Sequence, residues 1–230
     1  MTGSRRTHAV IAIDGPAASG KSSTSQWVAE KLGFLHVDSG SLYRALTAAL
    51  LRGGRRPDLW IPAEMVAEGA RVSLRPEATS FSALIDGEPA EEEIRGAAVT
   101  EHVSFVARVP EVRAWVNARV REAAETHDVV VDGRDMGTAV FPDAPLKIFL
   151  VADSWERARR RLTQRLGRRP TEGEIAEETD LIVQRDAKDA TQTVQAKDAV
   201  LLDTTYLTQE EQVDRIVALA RAVSHRPDAT

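Results

Sequence analysis

The chain has 230 residues, 43% of them hydrophobic and 28% charged, with a net charge of −5 and no cysteine. That length suits one α/β domain with an insertion, or two small domains, and the lack of cysteine excludes disulfides and thiolate metal sites. No apolar run approaches the ~18 residues of a membrane helix, the opening MTGSRRTHA lacks a signal-peptide core, and the acidic balance gives no support for tight non-specific nucleic-acid binding, so a cytoplasmic protein is expected.

Residues 1–8 are polar and basic and are expected to fray. The apolar run Val10, Ile11, Ala12, Ile13 predicts a strand that stops at Asp14. The loop after it reads Gly15-Pro16-Ala17-Ala18-Ser19-Gly20-Lys21-Ser22-Ser23, which contains G-x-x-x-x-G-K-[ST], and residues 22–32 then predict a helix capped by Gly33. Gly15 and Gly20 allow close backbone approaches, and successive N–H groups can curl around an anion at the positive end of the helix. Lys21 adds a mobile charge for terminal phosphates, and the Ser22 hydroxyl can complete an octahedral magnesium shell. Strand, loop and helix together predict a nucleoside-triphosphate site.

Residues 34–37 predict a strand that delivers Asp38-Ser39-Gly40 to the same sheet edge. A helix over 41–51 follows, with Leu42, Ala45, Leu46, Ala49 and Leu50 on one face, stopped by Gly53 and Gly54. Composition shifts between residues 55 and 108. Strands at 72–74 and 81–85, the second followed by Asp86-Gly87, predict an antiparallel hairpin or meander within an insertion. A helix from Val99 is interrupted at Pro110, which fits the first turn of another helix running to about Glu125, with Val112, Trp115, Val116 and Val120 on one side. Residues 128–131 and 146–151 read as buried strands, the first emptying into Asp132-Gly133-Arg134-Asp135. Ser154 is the expected N-cap of an arginine-rich helix, and Thr171 with Glu174 has capping-box spacing for a helix to about Lys188. A strand at 199–202 and a helix at 209–223 close the chain. Strands alternating with helices predict a three-layer α/β fold with a parallel sheet.

Ligands of open α/β sheets gather at the carboxyl ends of the strands. Three predicted strand ends carry polar groups: Asp14 with the loop, Asp38-Ser39 with Tyr43 and Arg44 beyond, and Asp132 with Arg134 and Asp135. Arginine grips phosphate with two parallel hydrogen bonds, so Arg44 and Arg134 are expected to flank a second anionic group opposite the triphosphate. Asp132 is the expected carboxylate for magnesium, directly or through water, with Asp14 the weaker candidate. Seven arginines occupy the thirteen positions from Arg157 to Arg169, which suits a flap over a migrating phosphoryl group, with Gly167 and Pro170 at its hinge or tip.

GPAASGKS, DSGSLYR, DGRDMGTAVFPDAPLKIFL and RDAKDA, in that order and spacing, resemble the bacterial cytidylate kinases over nearly the whole chain, from Val10 to about Ala220. The resemblance implies a P-loop fold with a five-stranded parallel sheet. It implies a core over 9–58, 109–153 and 191–224, a CMP-binding insertion over 59–108 and a lid over 154–190. It implies phosphoryl transfer from ATP to CMP or dCMP with magnesium, by a cytoplasmic monomer. Carried over motif by motif, Ser39, Arg44 and Arg134 would hold the CMP phosphate with Tyr43 packed beside them. Ser104, Arg113 and Asp135 would read the cytosine edge, and Arg185 and Asp189 would reach ribose and phosphates. Gln192 departs from the family, whose members often carry arginine there. Lys188, a lid arginine or a different closure would have to compensate. A P-loop kinase of another acceptor (UMP, AMP or shikimate) and a nucleotide-switched binding module are the competing readings; the switch would want an N-K-x-D segment, which the chain lacks.

Overall fold

The structure is a computed structural model and describes residues 8–224. Five strands form a parallel sheet, from one edge to the other β2 (Leu35–Asp38), β6 (Val129–Gly133), β1 (Val10–Asp14), β7 (Leu146–Val151) and β8 (Val200–Asp203). The central strands β6, β1 and β7 are buried on both faces, and period-2 alternation divides their side chains, while the edge strand β8 leaves Val200 and Leu201 exposed. Ile11, Ile13, Val130, Ile148 and Leu150 pack with Val28 and Ala29 of α1 (Lys21–Leu32) and with Val213, Ile216 and Val217 of α9 (Gln209–Ser224). Ala12, Val37, Val129 and Val131 turn to the other side, against α2 (Ser39–Arg52) and α6 (Pro110–Thr126). The register sets Asp132 beside Asp38 and beside Ile13, the residue before Asp14, so the aspartates that end or nearly end three strands come to one edge.

Between α2 and α6 stand α3 (Pro62–Glu68), the antiparallel strands β3 (Val72–Pro76), β4 (Phe81–Ile85) and β5 (Glu88–Pro89), and the helices α4 (Glu91–Ile94) and α5 (Ala97–Val106). Asp86 and Gly87 have φ of 55° and 83°, the paired left-handed geometry of a two-residue hairpin turn. Ile85, Ile94, Val99 and Val103 share one continuous core with α2 and α6. Pro110 occupies the first turn of α6, where its missing N–H costs nothing.

Two helices, α7 (Ser154–Leu166) and α8 (Glu172–Asp189), form a hairpin with its own small core of Ala158, Leu162, Ile175 and Ile182. Gly167 ends α7 with φ 65°, and the capping box of Thr171 and Glu174 opens α8. The N-cap of α7 is Asp153, not Ser154: its carboxylate accepts from the N–H groups of Trp155 (2.9 Å) and Glu156 (3.3 Å). A carboxylate also offsets the positive helix end, which a hydroxyl does not. The expected frayed start also shortens, since His8 and Ala9 bond the Asp128 carboxylate, while residues 1–7 lie outside the described residues.

Gly15 is where β1 leaves the sheet against its neighbour. A Cβ there would stand 2.2 Å from the backbone oxygen of Leu150, and φ is +151°. Neither backbone can yield without breaking the β1–β7 ladder. Gly15→Ala is expected to destabilise the fold by about 3 kcal/mol or more, which lowers the unfolding midpoint by roughly 10 °C. A circular-dichroism melt at the unaltered midpoint would contradict this.

Candidate active site

The sheet edge opens into a cleft of about 1200 Å³ that the P-loop, α2, α5, the α7–α8 hairpin and the loop after β8 all line. At one pole lies the N-terminus of α1. Asp153, Thr171 and the reciprocal Thr208–Glu211 pair cap α7, α8 and α9 with side chains. By contrast α1 starts at Gly20 with no side-chain cap and no acidic residue in its first turn. Its first N–H groups are therefore left for an anion. Ala17 to Ser23 line the cleft there; Gly15 and Pro16 stand behind and act through their carbonyls. Lys21 is 6% exposed, and its Nζ donates to Pro16 O (2.6 Å). Burial, reinforced by the Arg134 guanidinium, pulls its ammonium down to about 7. The charges of Asp132, Asp14 and Asp38 act in the opposite direction and only partly offset this.

Below the loop, Ser22 Oγ donates to Asp132 Oδ2 (2.9 Å), and Asp132 Oδ1 meets His36 Nε2 at 2.6 Å. Burial lowers the His36 pKa, but the hydrogen bond and the charge of Asp132 outweigh it and the net shift is upward. Burial and the charge of Asp132 raise Asp38. Asp14 takes a structural place. Its two oxygens accept from Met136 and Gly137 N–H, both at 2.8 Å, and hold a single π-helical turn (Met136–Val140). Burial nevertheless lifts Asp14 to about 6.

The second pole gathers cations. Arg44, Arg134 and Arg185 all line the cleft. Arg134 donates to Gly15 O (3.3 Å) and to Asp189 (3.4 Å), and Arg185 lies 3.7 Å from the same carboxylate. Among the described residues the buried Nε atoms of Arg134 and Arg185 have no hydrogen-bond partner. Burial lowers Arg44 and Arg185, and the neighbouring guanidiniums (Arg185 for the first, Arg134 for the second) lower them further. Like charges pressed together with open donors are an arrangement that can take up an anion. Arg44 is braced by Ile94 O and Thr100 Oγ1, both at 3.1 Å, and Ser39 donates to Asp132 O (2.7 Å).

Beyond the cations the cleft ends on Ser104 and on the ion pair of Arg113 with Asp135, whose guanidinium sits 5.9 Å from the Tyr43 ring centroid. Tyr43 is buried, and its Oη has no hydrogen-bond partner among the described residues. One wall thus offers a carboxylate acceptor, a fork of donors and a hydroxyl together, a set that can read a heterocycle edge.

The sequence comparisons agree with one another. A family model described as Cytidylate kinase matches residues 11–222. The chain belongs to the cytidylate kinase family. A cytidylate kinase of Limosilactobacillus reuteri is 39% identical over 210 residues, covering 90% of this chain and 92% of that one. One of Chromobacterium violaceum is 42% identical over 212 residues, covering 90% and 93%. Among solved structures, a shikimate kinase from Bacteroides thetaiotaomicron aligns with TM-score 0.48 at 17% identity, over 93% of this chain and 98% of that one.

Six of the seven arginines in the run expected to form one flap divide three ways in this cytidylate kinase fold. Arg160, Arg161 and Arg165 reach the cleft, and the last two share buried Glu178 at 3.3 and 3.1 Å. Arg160 also bonds the carbonyls of Thr204 (2.5 Å) and Thr205 (3.0 Å). Arg159 pairs with Glu156 and Arg168 with Glu174 away from it, and Arg157 is buried against the P-loop. Gln192 lines the cleft with its amide on Thr191 Oγ1. His36, Glu178 and Asp186 were missed by sequence reading, because each lies inside an ordinary strand or helix pattern and gains its partner only across the fold.

Proposed function

We propose that the chain is a cytidylate kinase that moves the γ-phosphate of ATP to CMP or dCMP with magnesium, as a cytoplasmic monomer. The observation that carries this reading is Arg134, which spans the two poles and touches both the P-loop carbonyl of Gly15 and the Asp189 carboxylate of the second anion site. Two phosphates bound at those poles would face each other across one guanidinium.

ATP would lie with its phosphates on the loop of Gly15, Pro16, Ala17, Ala18, Ser19, Gly20, Lys21, Ser22 and Ser23. Ser22 Oγ and Asp132 Oδ2 stand 2.9 Å apart below the loop, a pair of oxygens that suits a hard divalent cation. Bound there, magnesium would neutralise charge on the β- and γ-phosphates. His36 and Ser22 hold Asp132 in place from either side. CMP would set its phosphate among Ser39, Arg44, Arg134 and Arg185, with Asp189 orienting the last two.

The cytosine 4-amino group would donate to Asp135, and its N3 and O2 would accept from Arg113 and Ser104, with Tyr43 packed beside them. The acceptor oxygen is already anionic at neutral pH, so no general base is needed. Catalysis is positioning plus charge neutralisation by Lys21, Arg134 and Arg185. We read residues 9–58, 109–153 and 191–224 as the core, 59–108 as the acceptor-binding insertion and 154–190 as a lid that excludes water when it closes.

The test is ADP release from ATP and magnesium with CMP, dCMP, UMP, AMP, GMP and shikimate in parallel. Strong release with CMP and dCMP, weak release with UMP and none with the others supports the reading. Equal rates with every acceptor would overturn it.

A further inference from the structure

Three consecutive carbonyls of the P-loop are each held by a cation from a different direction. Arg134 bonds Gly15 O, Lys21 bonds Pro16 O, and Arg157 Nη1 bonds Ala17 O at 2.7 Å. The third contact differs in kind from the others, because neither Arg157 nor its partner Asp186 lines the cleft. Arg157 Nη1 also donates to Asp186 Oδ2 (2.6 Å), and the other oxygen, Asp186 Oδ1, accepts from Ala17 N–H at 2.9 Å. Ala17 is thus gripped on both its N–H and its C=O by one ion pair, with Arg157 from α7 and Asp186 from α8. The next residue, Ala18, holds φ at 55°, a left-handed conformation that is unfavourable for a residue with a Cβ. Ala18 also packs on the small core of the α7–α8 hairpin.

We propose that Arg157 and Asp186 are positioning residues for the nucleotide site. They hold the Ala17–Ala18 segment in its strained form and turn the Ala17 carbonyl away from the phosphates, so that affinity for ATP depends on how the α7–α8 hairpin is seated. The physical reason is local. A carbonyl directed at a polyphosphate would repel it, and a loop released to relax at Ala18 would no longer aim its N–H groups at one point. The same two helices carry Arg161, Arg165 and Arg185 into the cleft, so one body sets both the lid cations and the loop. The proposal rests on reading the P-loop as the ATP site.

The experiment is calorimetric binding of ADP and, separately, of CMP to the full chain, with a thermal melt of each variant. Asp186→Leu removes both acceptors, and ADP binding is expected to weaken about tenfold, as an unpaired buried N–H would cause. Asp186→Asn keeps an oxygen for Ala17 N–H and should recover most of that loss. Arg157→Lys keeps the charge but cannot reach both partners, and a loss of about threefold is expected; it and the Asn variant decide the matter if the Leu variant does not fold. CMP affinity should stay within twofold throughout. ADP affinity within twofold of the original in every folded variant would overturn the proposal. Equal losses for ADP and CMP would overturn it too, since a merely structural pair weakens both. Failure of the nucleotide reading itself shows separately, as no ADP binding by the unaltered chain, and takes the proposal with it.

Discussion

Lys21→Ala is expected to lower kcat/KM for ATP about 1000-fold, equivalent to roughly 4 kcal/mol of transition-state stabilisation, while the fold survives. The fold survives because the buried ammonium is not a stabilising charge: burial and Arg134 have brought it to about 7, so the folded state disfavours its proton. The variant loses two hydrogen bonds, to Pro16 O (2.6 Å) and to Ser19 Oγ (3.4 Å). The same displacement gives a pH dependence with a definite sign. Polyphosphate binds the ammonium form and raises its pKa, so affinity for ADP is at full strength below pH 7. It weakens by up to tenfold per unit as the pH rises above 7. In Lys21→Ala that slope should vanish. Equal slopes in the two proteins, or a rate near normal in the variant, would remove Lys21 from its assigned role.

Asp135→Ala is expected to abolish the choice between CMP and UMP. A site built to accept from the 4-amino group of cytosine loses that acceptor, and kcat/KM for CMP should fall about 100-fold while that for UMP changes little. Arg113 would be left largely buried with the Ala107 carbonyl and the Tyr43 ring but no counter-charge, at a cost to stability on the order of 2 kcal/mol. Asp135→Asn separates the two effects. Its amide keeps an oxygen for Arg113 and offers an N–H to the 4-oxygen of uracil, so the preference should swing toward UMP with a smaller loss of stability. A CMP-to-UMP ratio unchanged in both variants would reject the assignment of Asp135 to the base edge.

Features that depend on neighbours a few residues apart were legible in the chain itself. The P-loop stands where G-x-x-x-x-G-K-S placed it, and Asp86-Gly87 turns the hairpin of β4 and β5. Thr171 and Glu174 form their capping box, and Pro110 opens α6. In each case the backbone geometry follows from the steric and hydrogen-bonding limits of the residues at the turn, without reference to the rest of the molecule. The three-layer α/β arrangement followed from strands alternating with helices. Ser154 shows where such reasoning stops, since two adjacent residues could both cap α7 and the fold seated the carboxylate of Asp153.

Side-chain pairing at the site was another matter. Asp132 lies beside Asp38 and Ile13 only because β6 inserts between β2 and β1 in the sheet order. That order brings His36 and Ser22 to the two oxygens of one carboxylate. Seven arginines in one run are indistinguishable by spacing, yet the packing of α7 on α8 sends Arg157 to the P-loop, Arg161 and Arg165 to Glu178, and Arg159 outward to Glu156. The sequence by itself determined where the glycine-rich loop, the hairpin turn and the capped helix ends form, because those depend on local conformation. The tertiary structure decided which charges meet across the fold, because residues far apart in the chain pair only where packing brings their elements within reach.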